Sequence, residues 1–241
     1  MTRRTSYTDN LLVSEEQLLL RGLAALDIDL SGTAPRKLLA YIEEIQRWNP
    51  LYGLVNAEGE ELIIKHVLDS LAPWRAIETV LAQIDVEVPE VEGNAMVTDI
   101  GTGAGFPGIP LSMVLPHRRF RLVERLERRI RFLETTAALL SLNNVAVHAG
   151  SVEFETEPFQ CVVFRALKPF SDRKLFRFVW KNLVPGGAII AYKGKAMSAK
   201  MELQDILDDP HLGIFARNAQ VEPVWVPFLD EERCLVISRK T

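Results

Sequence analysis

Apolar residues recur at helical spacing through the first third of the chain. Leucines occupy positions 18–20, 23 and 26, a spacing of three and four residues that is typical of one buried helix face. A capping-box sequence, Ser14-Glu15-Glu16-Gln17, precedes this run. Trp48-Asn49-Pro50 follows the next run, which it should end because proline cannot continue the hydrogen-bond ladder. The pattern predicts four helices, over residues 14–26, 35–48, 58–70 and 74–84.

From residue 95 onward, short apolar runs alternate with amphipathic stretches. The predicted strands cover residues 95–100, 119–124, 145–148, 161–165 and 187–193. One predicted helix ends near residue 115, and the others cover residues 127–140, 171–183 and 198–207. Residues 183–187 are predicted to form a sharp turn from helix to strand. This alternation predicts a doubly wound, mostly parallel α/β sheet. Two more strands, 221–226 and 233–239, have no helical pattern between them and predict an antiparallel hairpin that brings the sheet to seven strands.

An acidic stretch separates these two regions. Residues 85–94 are rich in Asp and Glu and are interrupted by Pro89 and Gly93, which favours a boundary. We therefore expect residues 1–94 to form an N-terminal helical extension that packs on a core domain of residues 95–241. Within the extension, His66 and Asp69 are three residues apart on one predicted helix, so they share a face and could form a hydrogen bond.

A glycine-dense turn follows the first predicted strand. Residues 96–108 are MVTDIGTGAGFPG, a strand, a turn and the start of a helix, which brings a nucleotide-like cofactor against bare backbone. A dinucleotide site needs G-x-G-x-x-G, but here the spacing is G-x-G-x-G and Phe106 takes the sixth position. Pro107 and Pro110 also remove two N–H donors that a pyrophosphate would use. The turn favours S-adenosylmethionine, which has no phosphate; a purely structural glycine turn is the alternative.

The acidic residue expected of such a site follows about twenty residues later. Glu124 ends the predicted strand 119–124. At that tip, its carboxylate can accept hydrogen bonds from both hydroxyls of a ribose. The glycine turn and Glu124 together make the methyl-donor interpretation the favoured one.

Composition narrows the class of protein. With 241 residues, 48% of them apolar, the chain can bury a full core. It contains no apolar run near the roughly 18 residues that span a bilayer, and its start, MTRRTS, lacks the apolar segment of a signal peptide, so we expect a cytoplasmic protein. Cys161 and Cys234 lie in strand-like runs and are predicted to be reduced core residues. Four scattered histidines without metal-binding spacing predict that no metal site is present.

The net charge of −4 is distributed unequally between the two regions. Residues 1–94 hold 8 Lys and Arg against 16 Asp and Glu, whereas residues 95–241 hold 20 against 16. Residues 118–131 contain seven arginines. They form either a solvated helix face with Glu124–Arg128 and Glu127–Arg131 pairs, or a surface that contacts RNA phosphates. A second basic group begins at the end of the fourth predicted strand and is the better RNA candidate. It comprises Arg165, Lys168, Arg173, Lys174, Arg177 and Lys181, with Phe170 and Phe176 predicted as core residues between them.

Several segments together resemble one known family. Residues 99–110, DIGTGAGFPGIP, resemble the signature of the RsmG (GidB) family, bacterial 16S ribosomal RNA guanine-N(7) methyltransferases. Further matching blocks occur in the family's order between residues 41 and 240. They are Trp48-Asn49, IKHVLDSL at 64–71, RRIRFL at 128–133, Arg165-Ala166, YKG at 192–194 and ERCLV at 232–236.

The resemblance implies a fold, a reaction and a set of site residues. The fold would be the class I, Rossmann-like methyltransferase fold, and the enzyme would transfer a methyl group from S-adenosyl-L-methionine to N7 of a specific guanine in 16S ribosomal RNA. Its partner would be that RNA or the small ribosomal subunit, with no membrane association, and the protein would be a monomer. The implied donor-binding residues are Gly101, Gly103, Phe106, Glu124, Val152, Glu153 and Arg165. The implied catalytic residues are Arg165, Lys193 and Arg233.

Two departures from the family pattern concern the acceptor side. Gly53-Leu54-Val55 replaces the usual Asn-Leu-Thr, and Ser151 stands where the family usually has arginine. The missing arginine at Ser151 and the acidic pI of about 5.7 keep open a second hypothesis, an S-adenosylmethionine-dependent enzyme with a small-molecule or protein acceptor. A third, a binding module that has lost activity, is disfavoured by the intact glycine turn and Glu124.

Overall fold

The structure is a computed structural model that describes residues 7–88, 91 and 93–240, with side chains from Glu15 onward. Its strands are β1 (Met96–Ile100), β2 (Arg119–Glu124), β3 (Val145–Ala149), β4 (Phe159–Arg165), β5 (Leu183–Lys193), β6 (Gln220–Val224) and β7 (Arg233–Arg239). They form one seven-stranded sheet in the order β3-β2-β1-β4-β5-β7-β6. Strands β1 to β5 pair in parallel, and β7 is antiparallel to both β5 and β6. The predicted parallel sheet with an antiparallel C-terminal hairpin is confirmed.

Helices precede the sheet and cover both of its faces. They are α1 (Tyr7–Ala25), α2 (Ala34–Tyr52), α3 (Gly59–Leu62), α4 (Asp69–Leu71), α5 (Trp74–Glu87), α6 (Gly108–Val114), α7 (Glu127–Leu139), α8 (Arg173–Asn182), α9 (Ala196–Gln204) and α10 (Gly213–Asn218). A π-helical segment, Ile63–Leu68, joins α3 to α4. A short 3₁₀ helix, Val152–Phe154, follows β3.

The predicted ends of the first two helices are wrong. Helix α1 begins at Tyr7, so Ser14 lies inside it and cannot be its N-cap; the side chain of Ser14 lies outside the described residues. Pro50 lies inside α2, which continues to Tyr52. The missing N–H of Pro50 falls in the last helical turn, and Gly53 closes the helix at φ 54° by donating its N–H to the Asn49 carbonyl at 2.8 Å.

Two later predictions also need correction. Residues 183–187 were predicted as a turn, but they begin β5, which pairs with β4 across a register shift between Phe159 and Cys161. Such a shift accommodates the extra residues in one strand. Helix α10 was not predicted because its six residues are too few to show a helical period. It buries Phe215, whose carbonyl accepts a hydrogen bond from Ser238.

The N-terminal helices share their apolar core with the sheet layers. Side chains of α1, α2 and the segment 59–71 pack with those of α6 and α7 on one face of the sheet, and α5 packs on the same face. Helices α8 to α10 cover the other face. Asp85, in the stretch predicted as a boundary, lies in α5 and accepts a hydrogen bond from the Ala95 N–H at 2.8 Å. Residues 89, 90 and 92 of that stretch lie outside the described part of the chain.

Candidate active site

The glycine turn lies where the strand order reverses. Strand β1 has β2 on one side and β4 on the other, so the loops after β1 and β4 separate and leave a crevice at the carboxyl edge of the sheet. Gly101, Gly103 and Gly105 have φ values of 66°, 64° and 101°, a region that other residues adopt only with strain. The turn therefore requires glycines at these three positions for its backbone shape.

Asp99 fixes the shape of this turn from beneath. It is fully buried, and its Oδ2 accepts hydrogen bonds from the Thr102 hydroxyl at 2.6 Å and the Gly108 N–H at 2.8 Å. A Cβ at position 108 would lie 2.8 Å from that Oδ2, so only glycine allows this approach. Its Oδ1 has no hydrogen-bond partner among the described residues, and burial raises the pKa of Asp99 to about 7.

Glu124 lies directly against the glycine turn. Its buried carboxylate accepts hydrogen bonds from the Gly103 N–H at 3.0 Å and from the N–H groups of Arg125 and Leu126 at 2.8 and 2.9 Å. The nearest atom to a Cβ built at Gly103 is Nη1 of Arg129 at 3.9 Å, so space opens beside this glycine. A carboxylate beside open backbone at the end of β2 is the arrangement that a nucleoside ribose requires.

The segment after β3 borders the same corner. The Gly150 N–H donates to the Glu124 carbonyl at 2.8 Å, which brings Val152 and Glu153 close to the end of β2. Val152 is buried in the core. Glu153 is exposed; the hydroxyl of Ser151, at 2.7 Å, and the ammonium of Lys174, at 3.3 Å, lower its pKa. The ends of β1 and β2 thus bring Gly101, Gly103 and Glu124 together, and the segment with Val152 and Glu153 begins beside Glu124. These five predicted donor residues are called the donor corner below.

Phe106 lies on the side of the turn that faces the N-terminal helices. It is buried, with its ring centroid 5.5 Å from that of Tyr41 and 5.2 Å from that of His66. The guanidinium carbon of Arg165 lies 5.2 Å from the centroid of the same ring, within cation–π distance. Phe106 therefore connects the glycine turn to the cationic side of the site.

A cleft of about 580 Å³ opens next to the donor corner. It lies at the carboxyl ends of β4 and β5, against the π-helical segment and the start of β7. Arg165, Lys193 and Arg233, which the sequence predicted as catalytic, all line it. Leu167 also lines the cleft and packs over Gly101, where an added Cβ would lie 2.4 Å from its Cδ1. The donor corner and the cleft are thus adjacent.

One carboxylate joins two of the predicted catalytic cations. Asp69 is buried, and its Oδ2 accepts from Nη1 of Arg165 at 2.8 Å while its Oδ1 accepts from Nε of Arg233 at 3.1 Å. Arg165 also donates to the Lys65 carbonyl at 2.7 Å and to Nδ1 of His66 at 2.6 Å. The predicted bond between His66 and Asp69 is not what the structure has: both residues bind Arg165 instead.

Lys193 is held on the opposite side of the cleft. Its ammonium donates to the Glu202 carboxylate at 2.6 Å and lies 4.2 Å from the centroid of the Phe170 ring. Sequence reasoning missed Asp69 and Glu202 as partners of these cations. Neither acid has a sequence signature that names its partner. Asp69 binds Arg165, 96 residues away, and Glu202 binds Lys193, 9 residues away and in a different element.

About half of the other arginines and lysines whose side chains the structure describes have acidic partners. Arg118 and Arg121 are buried in ion pairs with acidic side chains of other elements, and Arg131 pairs with Glu127 as predicted. The predicted Glu124–Arg128 pair is absent from the described contacts, where Arg129 approaches Glu124 at 3.7 Å. In the second basic group, Lys168, Arg173, Lys174 and Arg177 pair with Asp172, Asp209, Glu153 and Asp209. A role of this group in RNA binding stays a prediction.

Other predictions concern side chains away from the cleft. Phe170 and Phe176 are core residues, as predicted, and so are Cys161 and Cys234. No helix in the described ranges is long and apolar enough to cross a membrane. Within the same ranges, His, Cys, Asp and Glu side chains form no cluster that could hold a metal ion.

Comparison with solved structures supports the fold. A human methyltransferase 10 domain containing protein is similar with a TM-score of 0.57 and 14% identity, over 85% of this chain and 98% of that chain. An O-methyltransferase from Bacillus cereus, solved in complex with SAH, is similar with a TM-score of 0.54 and 15% identity, over 83% and 91% of the two chains. At these identities the likeness concerns the fold alone, which is that of class I methyltransferases.

Comparison with other sequences identifies the family. The chain is 36% identical over 230 residues to the ribosomal RNA small subunit methyltransferase G of Treponema pallidum, covering 92% of this chain and 93% of that protein. It is 32% identical over 218 residues to the protein of the same name from Escherichia coli, covering 87% and 91%. The family model GidB, rRNA small subunit methyltransferase G, matches residues 34–208. The chain therefore belongs to the GidB family of rRNA small subunit methyltransferases G.

Proposed function

We propose that the protein transfers a methyl group from S-adenosyl-L-methionine to N7 of a specific guanine in 16S ribosomal RNA. The observation that supports this most is the position of the donor corner beside a cleft lined by Arg165, Lys193 and Arg233, in a chain of this family. Residues 1–94 would act as the helical extension and residues 95–241 as the methyltransferase domain. We expect a monomer that works in the cytoplasm, where ribosomal RNA is found.

The donor corner fits the adenosyl group by its chemistry. Glu124 offers a carboxylate to the ribose hydroxyls, and Gly103 offers backbone with open space beside it. Gly101 would shape the turn beside this space, Val152 and Glu153 follow the Gly150 N–H that binds the Glu124 carbonyl, and Phe106 and Arg165 would border the site on the side of the N-terminal helices. S-adenosylmethionine, when bound, supplies a methyl group on a positively charged sulfur.

The proposed acceptor atom, guanine N7, needs no general base from the protein. Guanine N7 has an in-plane lone pair at neutral pH, so no proton has to be removed before it attacks. The cleft residues would therefore act by holding the guanine in line with the methyl group, which lowers the entropic part of the barrier. Arg165, Lys193 and Arg233 would bind RNA phosphate, because the methylated base is itself cationic and disfavours a second positive charge against the ring.

A transfer assay tests the proposal. Small subunits and free 16S RNA from a strain that lacks this gene would be incubated with the protein and methyl-labelled S-adenosylmethionine. We expect label in the RNA, and cleavage at one position after borohydride reduction and aniline treatment, which report N7-methylguanine. Label in ribosomal protein or in a small molecule, with none in the RNA, would favour the alternative acceptor that Ser151 keeps open.

A further inference from the structure

The imidazole of His66 is held in one tautomer by its neighbour. Arg165 donates a hydrogen bond from Nη2 to Nδ1 of His66 at 2.6 Å. A guanidinium has donors and no acceptor, so Nδ1 must be the unprotonated nitrogen and the ring proton must lie on Nε2. Arg165 itself cannot turn away, because its Nη1 binds both Asp69 and the Lys65 carbonyl.

The surroundings of the ring also keep it neutral. Burial, and after it the positive charge on Arg165, lower the pKa of His66 to about 4. The ring rests against Phe106, at 5.2 Å between centroids, so its plane is fixed as well. Near pH 7, His66 is therefore a neutral group whose Nε2–H can donate a hydrogen bond but cannot accept one.

This donor is available to a ligand in the cleft. His66 lines the cleft and is half-buried, and its Nε2 makes no hydrogen bond to any group that the structure describes. The cations Arg165, Lys193 and Arg233 line the same cleft, and the donor corner lies beside it, since Leu167 both lines the cleft and packs over Gly101. The target base, if the proposed function holds, has to enter here to bring its N7 to the methyl group.

The edge of guanine that carries N7 fits such a donor. Guanine presents two acceptors there, N7 and O6, whereas adenine presents the N7 acceptor and an N6 amino donor. A fixed N–H pairs with O6 of guanine and opposes the amino group of adenine. It also leaves N7 unblocked and adds no charge beside a base that becomes cationic.

We propose that the Nε2–H of His66 recognises O6 of the target guanine and so selects guanine over adenine at the site of methylation. This inference rests on the proposed function and deepens it by naming the residue that reads the base. Arg165 is then also a positioning residue, because its bond to Nδ1 sets the tautomer of His66.

The test compares purine analogues at the target position. Ribosomal RNA substrates joined from synthetic segments would carry guanosine, inosine or 2-aminopurine at that position. Inosine keeps O6 and lacks the 2-amino group, whereas 2-aminopurine lacks O6 and keeps the 2-amino group. For the wild-type protein we expect equal kcat/KM on guanosine and inosine, and a loss of about 10- to 100-fold on 2-aminopurine, the range for one good base contact.

Two variants separate recognition from structure. His66→Phe keeps a ring against Phe106 but removes both nitrogens, and His66→Asn keeps an acceptor near Nδ1 but is too short to place a donor at Nε2. In both variants we expect kcat/KM on guanosine to fall to near the wild-type level on 2-aminopurine, with little further loss on 2-aminopurine. Comparing this substrate ratio between the wild type and the variants cancels differences in intrinsic N7 reactivity, and a merely structural role would not change the ratio.

Controls make the outcomes distinct. His117→Phe makes the same substitution at an exposed histidine that pairs with Glu78 just before β2, at the opposite edge of the sheet, and should keep the wild-type ratio. Binding of S-adenosylhomocysteine by calorimetry should stay within about threefold in both His66 variants. N7 methylation with the same guanosine-to-2-aminopurine ratio in the wild type and the His66 variants would overturn this inference alone. Failure of the wild type to methylate any RNA at N7 would overturn the proposed function and the inference with it.

Discussion

The carboxylate of Asp69 holds the N-terminal helices to the methyltransferase sheet, and Asp69→Asn tests how much this contributes. Asp69 begins the short helix α4, whereas Arg165 ends β4 and Arg233 begins β7. One side chain of the N-terminal helices thus binds two strands of the sheet through hydrogen bonds of 2.8 and 3.1 Å. The asparagine has nearly the same shape, so the substitution removes the charge and leaves the packing in place.

The expected loss follows from these two contacts. Hydrogen bonds to charged groups contribute about 1.5–3 kcal/mol each, and asparagine can still accept one neutral bond. The side chains of Arg165 and Arg233 are 16% and 20% exposed, so water replaces part of what is lost. We expect the free energy of unfolding to fall by about 2–3 kcal/mol.

Urea unfolding followed by circular dichroism would measure this loss. The control is Glu127→Gln, which removes the same charge from a pair whose side chains are 79% and 64% exposed, and it should change the free energy by less than about 0.5 kcal/mol. A double-mutant cycle with Arg165→Gln should give a coupling energy of about 1–2 kcal/mol. A loss for Asp69→Asn no larger than that for Glu127→Gln would refute the reasoning.

Three further predictions concern the donor corner and Asp99 beneath its glycine turn. Glu124→Gln should weaken binding of S-adenosylhomocysteine by about 10-fold or more in calorimetry, because hydrogen bonds to a charged acceptor are about twice as strong as neutral ones; unchanged affinity would remove Glu124 from the site. Gly103→Ala and Gly53→Ala, at φ 64° and 54°, should each cost about 1–2 kcal/mol of stability, but only the first should weaken that binding. For Asp99, whose pKa rises from 3.8 to about 7, the folded state binds the proton more tightly than the unfolded state, so its contribution to stability falls as pH rises from about 4 to 7. Asp99→Asn should therefore be more favourable relative to wild type at pH 8 than at pH 5 in urea unfolding, and a pH-independent difference would contradict the raised pKa.

The order of elements could be predicted from the sequence because each carries its own periodic signal. Strands β2 and β7 match their predicted bounds, and the other predicted strands and helices differ mainly at their ends. The predicted ends of helices were wrong where contacts with other parts of the structure outweigh the local sequence signal. Pro50 was expected to stop α2, but it removes only one i→i−4 hydrogen bond, and the helix continues for two more residues to Tyr52.

Some features of the site could likewise be predicted from the sequence, and others could not. The sequence could place Gly101, Gly103 and Glu124 at one turn because backbone shape and strand position constrain their residue types, and their role in donor binding stays a prediction. The bridge through Asp69 could not be found, since it depends on how the π-helical segment meets β4 and β7 in space. His66 was singled out for its spacing from Asp69, but its partner proved to be a residue 99 positions away.

The most direct test of the central claim is to map N7-methylguanine in 16S ribosomal RNA by mass spectrometry, with and without this gene. The account predicts that one such modification disappears when the gene is deleted, returns with the wild-type protein, and does not return with Glu124→Ala. A 16S RNA that keeps every N7-methylguanine in the deletion strain would contradict it.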